Sequence, residues 1–354
     1  MTDEVWILGA TGRIGRGVTE RLQQAGVEVV VAGRSAERLA TAFPTARAVT
    51  GSLDEICGHL ATQKPAVVVN TVGPFTTTAP AVARACPPGT HYLDVANDLH
   101  AFAALDAMDR DAVATGRAIV PGSGFGVLAT EAVLLHLLTD EQTPARVRVD
   151  AIASVAGEPG RLGDALAATI VDSLRDGGRE VRGGEVVRAW AGGERERLTT
   201  PDGDLVTTAS VGGGDLFAAW RATGAPTVIA ASALAPTSPL ARVGLGLVGG
   251  VLRLPGLAGL ATRQLARVTT TTHRERPRAS SWARARVEWP TGLVREGWLG
   301  TGEGLAFTID ATAEIARRLL RGEGRPGTRT PARLFGPDLA LAAGARFVDA
   351  TPHD

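Results

Sequence analysis

The sequence predicts an α/β protein: a parallel sheet built from alternating strands and helices, followed by a second, mixed α+β domain. Three observations carry this reading. Strand-type and helix-type segments alternate from the start of the chain through Val120. Apolar runs such as Ala66-Val67-Val68-Val69 have the unbroken character of parallel strands covered on both faces. Beyond Gly126 the pattern changes to short alternating strands separated by turn signals, which suits an antiparallel sheet. The chain has 354 residues, long for one core, so two domains are expected. We divide it into a parallel-sheet domain over 1–125, an α+β domain over 126–310, and a C-terminal helix and tail over 311–354 that packs back on the first domain.

The elements follow in order. Val5 to Leu8 is the first strand, and the helix after it runs on through Thr19 to Ala25. Val27 to Val31 is the second strand, and Ser35 caps a helix reaching Phe43. Ala46 to Val49 is a third strand and Leu53 to Thr62 a helix. Ala66 to Asn70 is a central strand, Thr78 to Cys86 a helix, His91 to Val95 a fifth strand and Ala118 to Val120 a sixth. In the second domain Val147 to Ser154 alternates like an antiparallel strand, and Gly160 to Gly177 reads as a helix. Strands are expected at 184–189, 205–209, 227–233, 284–289, 294–299 and 306–310, with a last helix at 311–321. The apolar stretch 240–266 is broken by Arg242, Arg253, Pro255 and Arg263, so it is read as a buried hairpin or subunit contact, with a lid over a hydrophobic substrate or an interfacial membrane contact as the alternative. A membrane span would need roughly 20 apolar residues in a row.

The first strand runs straight into Gly9-Ala10-Thr11-Gly12-Arg13-Ile14-Gly15. Strand, glycine turn, helix and parallel strand make the opening unit of a Rossmann-type dinucleotide-binding domain. Glycine is needed there because a side chain would keep a diphosphate away from the N–H groups that open the helix. The end of the second strand selects the cofactor. An NAD site places an acid about 20 residues past the glycines, on the ribose 2′-OH. Here Arg34 and Ser35 hold that place, with Arg13 in the turn, and guanidinium groups suit a 2′-phosphate. The expected cofactor is NADP, held by Gly9, Thr11, Gly12, Arg13, Ile14, Gly15, Arg34 and Ser35. Thr71, Val72 and Gly73, at the end of the central strand, are expected against the nicotinamide ribose.

Composition excludes several classes. Lys plus Arg and Asp plus Glu are 37 each, so the net charge of zero argues against a nucleic-acid-binding surface. Two cysteines support neither a disulfide framework nor a zinc site, and no metal is expected. The acidic N-terminus leads directly into a strand, so a signal peptide is not expected and a cytoplasmic setting fits. Lys64 is the only lysine and precedes Tyr92, so the Tyr-x-x-x-Lys pair of short-chain dehydrogenases is absent.

The motifs together resemble the saccharopine dehydrogenase-like oxidoreductases, a family that includes the trans-acting enoyl reductases of bacterial lipid synthesis. The residues that carry the resemblance are Gly9 to Gly15 with Ala32-Gly33-Arg34, Asn70 to Phe75 with Gly89 to Asp94, Gly213-Gly214-Asp215 through Gly224, and Arg317 to Leu320 with Pro326 to Ala332. The resemblance implies an NAD(P)-binding domain with a mixed α/β partner domain, often dimeric, and hydride transfer to a C=N or C=C bond; the cofactor motif and the large second domain add the expectation of a small, fairly apolar metabolite as substrate. At Gly124 to Glu131 the chain departs from the enoyl reductase pattern, which leaves both bond types open. A C=C substrate needs a proton donor, and Tyr92 and Asp94, on one face of the fifth strand, are the candidate catalytic pair. The competing structural role is packing between sheet and helix. The alternative function is a non-catalytic NADP-binding regulator or redox sensor.

Overall fold

The computed structural model describes residues 2–138, 142–154, 160–161, 171, 177–235, 257–267, 269–270 and 280–349. They divide into two compact units. Residues 1–96, 100–124 and 305–343 form the first, and 97–99, 125–304 and 344–354 the second.

The first unit opens with β1 (Thr2–Leu8), α1 (Arg13–Gln24), β2 (Val29–Gly33), α2 (Ala36–Ala42), β3 (Arg47–Thr50) and α3 (Leu53–Gln63). It continues with β4 (Pro65–Asn70), α4 (Phe75–Ala85), β5 (His91–Asp94), α5 (Leu99–Asp106), α6 (Asp109–Ala114) and β6 (Ala118–Val120). The strands lie in the order β3-β2-β1-β4-β5-β6, all parallel, with Gly327–Thr328 added beside β6. Strand order reverses between β1 and β4, the Rossmann arrangement. Val5, Trp6, Ile7 and Leu8 are fully buried, as are Val67, Val68 and Val69, because helices cover both faces. Ser35 caps α2, and Ser52 with Glu55 forms a capping box on α3. α4 begins at Phe75, three residues earlier than the sequence reading, because Pro74 takes the N-cap and Phe75 is already buried.

One strand expectation is corrected outright. Residues 306–310 do not form a strand; they lie in one helix, Gly304–Leu320. The alternation of Ala306 to Asp310 looked strand-like, but Phe307, Ala311 and Ile315 recur at helical spacing and are buried on one side. Gly17 of α1 makes room for this helix, since a Cβ there would lie 2.4 Å from Ile309 Cδ1.

The second unit contains α7 (Phe125–Leu137), β7 (Arg146–Ile152), β8 (Gly160–Arg161), β9 (Gly178–Arg182), β10 (Glu185–Ala189), β11 (Arg195–Thr199) and β12 (Leu205–Val211). It then adds α8 (Gly214–Thr223), β13 (Thr227–Ser232), α9 (Leu257–Ala266), β14 (Thr269–Thr270), β15 (Ser281–Glu288) and β16 (Val294–Thr301). Its large sheet runs β10-β9-β13-β7-β15-β16 and ends on Arg346–Asp349, with β12 joining β13 to β11. β7 is antiparallel to β15, as expected, but parallel to β13, which makes the sheet mixed. Gly160–Arg161 pairs with β14 rather than starting a helix. Most of the remainder of that expected helix, and residues 240–256 of the apolar stretch, lie outside the described residues.

One face of this sheet is apolar and packs on α7: a Cβ at Gly297 would lie 3.0 Å from Leu137 Cδ2. The other face is ionic at its centre. Arg284, 2% exposed, reaches Asp150 at 3.2 Å, Glu196 at 2.9 Å and Glu296 at 2.6 Å. Arg148 holds Asp150 at 2.9 Å and Glu196 at 3.0 Å. The β11–β12 hairpin packs over this face, with Leu198 and Val206 against Ile152, Trp282 and Trp298. Thr208 donates to Asp150 at 2.7 Å. Removing one partner from a buried ionic cluster strands the others, at about 3–5 kcal/mol. Asp150→Ala is therefore expected to lower stability in urea denaturation by about that amount. A loss below about 1 kcal/mol, the scale of an exposed pair, would contradict this account.

Candidate active site

The site is built on the carboxyl ends of β1, β4, β5 and β6, the edge at which ligands bind in open parallel sheets. After Leu8 the chain turns at Gly9, with φ +80°, a conformation that favours glycine. A Cβ on Gly15 would lie 2.4 Å from Gly9 O, so α1 can start this close to the turn only with glycine there. Gly12 is the N-cap of α1. It supplies no side-chain cap, and the first turn carries no acid. The start of α1 thus offers backbone N–H groups and the positive end of the helix dipole.

The predicted cofactor residues gather at this edge. Gly12 and Arg13 are exposed, Gly9, Thr11 and Ile14 half-buried, and Gly15 buried. At the end of β2, Arg34 is exposed and makes no ion pair with the described residues, while the Ser35 hydroxyl is turned inward to accept from Arg38 N at 3.3 Å. Thr71 also points inward. Its hydroxyl donates to Leu8 O at 2.7 Å and braces the glycine turn. Thr71, Val72 and Gly73 are each half-buried. An uncapped helix start, glycines whose Cβ would fill the turn, and an unpaired cation in place of an acid fit a phosphorylated dinucleotide.

Tyr92 and Asp94 are both fully buried. Tyr92 Oη donates to Asp94 Oδ2 at 2.8 Å. Asp94 Oδ1 accepts from Ala96 N at 3.0 Å and Gly122 N at 2.9 Å. Burial, and then the adjacent Asp94 charge, push the Tyr92 hydroxyl well above its ordinary pKa. The pair therefore holds two turns together, with the phenolic proton committed internally. His91 accepts from Ala118 N through Nδ1 at 2.9 Å, and burial pushes its pKa down.

Two residues that the sequence reading placed in motifs were given no role of their own there. Asn70, fully buried at the end of β4, touches Tyr92, Thr78 and Val72; a polar residue closing an apolar run was the available signal. Asp215, in the first turn of α8 in the second unit, is 2% exposed. Its N–H donates to Asn97 Oδ1 at 3.1 Å, and its Oδ1 accepts from Leu216 N at 3.0 Å. Burial raises its pKa from 3.8 to about 6, against the lowering effect of the Leu216 and Asp215 N–H groups. Among the described residues no group of His, Cys, Asp and Glu could hold a metal ion.

Residues 5–120 match the family model described as the saccharopine dehydrogenase NADP binding domain. The chain is similar to that domain over about a third of its length. The match supports NADP as the cofactor of this domain. Among solved structures the chain is similar to apo saccharopine dehydrogenase (L-Glu forming) from Saccharomyces cerevisiae, with TM-score 0.59 and 13% identity over 98% of this chain and 99% of that one. At that identity the likeness is one of fold. The WlbA (WbpB) dehydrogenase from Thermus thermophilus, in complex with NAD and alpha-ketoglutarate, aligns with TM-score 0.43 and 14% identity over 97% of this chain and 94% of that one. No curated protein matches the chain. Among its described residues no helix is long and apolar enough to cross a membrane.

Asp215 gives the second unit a pH signature. The folded state keeps this proton up to about pH 6, whereas the unfolded chain releases it near 3.8. Its contribution is therefore full below the unfolded value and is lost as pH rises through that window, to a total of about 3 kcal/mol. Asp215→Asn is expected to remove this slope from denaturation midpoints measured between pH 4 and 7. A slope that persists unchanged in the variant would refute the assignment.

Proposed function

We propose that the protein is an NADP(H)-dependent reductase that delivers hydride to a C=N or C=C bond of a small, fairly apolar metabolite. The observation that supports this most directly is the uncapped start of α1 at the strand-order reversal, paired with an arginine where an NAD-type domain carries an acid. The cofactor, when bound, supplies the hydride from nicotinamide C4. In this reading Gly9, Thr11, Gly12, Ile14 and Gly15 shape the turn that takes the diphosphate through backbone N–H groups. Arg34 and Arg13 grip the 2′-phosphate in the bidentate manner of guanidinium, beside Ser35. Thr71, Val72 and Gly73 shape the wall beside the nicotinamide ribose.

The disposition of Tyr92 favours the C=N branch. An iminium carbon accepts hydride and needs no donor, whereas an enone or enoyl ester develops negative charge on oxygen and requires one. The Tyr92 proton is held by Asp94, so the pair acts on the turns and leaves an iminium as the simpler substrate. A homodimer and a reduced cytoplasmic setting complete the proposal. The resemblance supports the first, and the free thiols of Cys57 and Cys86 support the second.

Calorimetric titration with NADPH and NADH tests the reading. The wild type is expected to prefer NADPH, and Arg34→Glu to weaken NADPH binding by about 10–100-fold, the worth of one charge-assisted contact. NADPH oxidation is then followed against a panel of cyclic imines and enoyl thioesters, with turnover expected on the imines. Equal affinity for the two cofactors would remove the NADP assignment. Tight NADPH binding without turnover of either substrate class would remove the reductase.

A further inference from the structure

We propose that Asn70, Thr78, Tyr92 and Asp94 are one positioning network that sets the seat of the nicotinamide half of the cofactor, an inference that rests on reading this unit as an NADP site. The four side chains are 0–6% exposed. Asn70 Nδ2 donates to Tyr92 Oη at 3.2 Å and to Thr78 Oγ1 at 3.4 Å. Tyr92 Oη donates in turn to Asp94 Oδ2 at 2.8 Å. β4 and β5 are paired so that Asn70 lies opposite Asp94 and Val68 opposite Tyr92. The polar chain therefore crosses directly between the ends of neighbouring strands.

Both ends of the network close on turn backbone. Asn70 Oδ1 accepts the Val72 N–H at 3.0 Å, and Thr78 Oγ1 donates to the Val72 carbonyl. Val72 is thus fixed through its donor and its acceptor by side chains that sit beneath it. At the other end Asp94 Oδ1 takes the N–H groups of Ala96 and Gly122, and the Ser123 hydroxyl donates to Asp94 O at 2.7 Å. The Val72–Gly73 turn and the Gly122–Ser123 turn are locked in register with each other. Burying four polar side chains has a desolvation cost that an apolar core would avoid, and what the arrangement yields is a defined backbone at two turns.

Strand order says which half of the cofactor those turns meet. The diphosphate belongs at the β1/β4 reversal and the adenosine ribose at the end of β2, so the other half lies over β4, β5 and β6. Tyr92 and Asp94 are accordingly positioning residues: they act on the cofactor through Val72 and Gly122.

The test uses two probes on the full-length chain, NADPH and adenosine 2′,5′-bisphosphate, which is the adenosine half alone. Tyr92→Phe and Thr78→Val are each expected to raise the Kd for NADPH by about 5–10-fold, the scale of one lost buried hydrogen bond. Affinity for the bisphosphate should stay within about twofold, a change too small to reflect a lost contact. Thr78→Ser keeps the hydroxyl and should restore NADPH binding, and this pair carries the test if Tyr92→Phe does not fold. Proportional weakening of both probes, or no change in either, would overturn the network. A wild-type chain that binds neither probe would instead remove the NADP reading beneath it.

Discussion

The first unit depends on one close approach of backbone to backbone. β1 and β4 are neighbours at the point where strand order reverses, and the turns that leave them must pass each other. Thr71 makes the junction: its N–H reaches Leu8 O at 3.0 Å and its hydroxyl the same oxygen at 2.7 Å. A Cβ at Gly9 would lie 2.7 Å from the Thr71 hydroxyl, and one at Gly15 would lie 2.9 Å from it. The two glycines and the threonine are therefore a single steric solution. Only with them can α1 begin low enough over the sheet to point its dipole at the carboxyl edge.

This explains which features were legible in the sequence. Glycine at 9, 12 and 15, apolar runs in β1, β2 and β4, and the capping serines Ser35 and Ser52 are local requirements, so they appear locally. The inward turn of Thr71 is not local, since its partner is 63 residues away. The same holds for Asn70, whose role exists only once β5 brings Tyr92 beside it. In the second unit, β9 and β11 escaped notice because strands such as Gly178–Arg182 and Arg195–Thr199 are short and rich in charge. Their charges are accommodated by the ionic face of the sheet or by the hairpin that covers it, which no single segment announces.

Asp94 and Asp215 show how much placement decides. Both are buried aspartates at the end of a strand or the start of a helix. Asp94 accepts a phenol and a backbone N–H from its own segment, Tyr92 and Ala96, and a second N–H from Gly122, 28 residues on, so it ties two segments together. Asp215 is satisfied mainly by N–H groups of its own turn, and desolvation outweighs them. The first binds its own strand end to the Gly122 turn, and the second remains a carboxyl group able to change its protonation between pH 4 and 7.

The same accounting at the carboxyl edge singles out where an anion can go. Val72 N–H is taken by Asn70, Ala96 and Gly122 N–H by the Asp94 carboxylate, and Ser123 N–H by Asp94 O at 2.8 Å. α2 and α3 begin on serine caps, each of which takes one first-turn N–H. α1 begins on Gly12, with neither a side-chain cap nor a first-turn acid. A diphosphate needs donors that are already pointed outward and not otherwise engaged. The start of α4, on Pro74, also lacks a side-chain cap, but it is α1 that follows the glycine turn at the strand-order reversal, where a diphosphate can approach the backbone closely, and the polar network beside it holds the neighbouring turns closed.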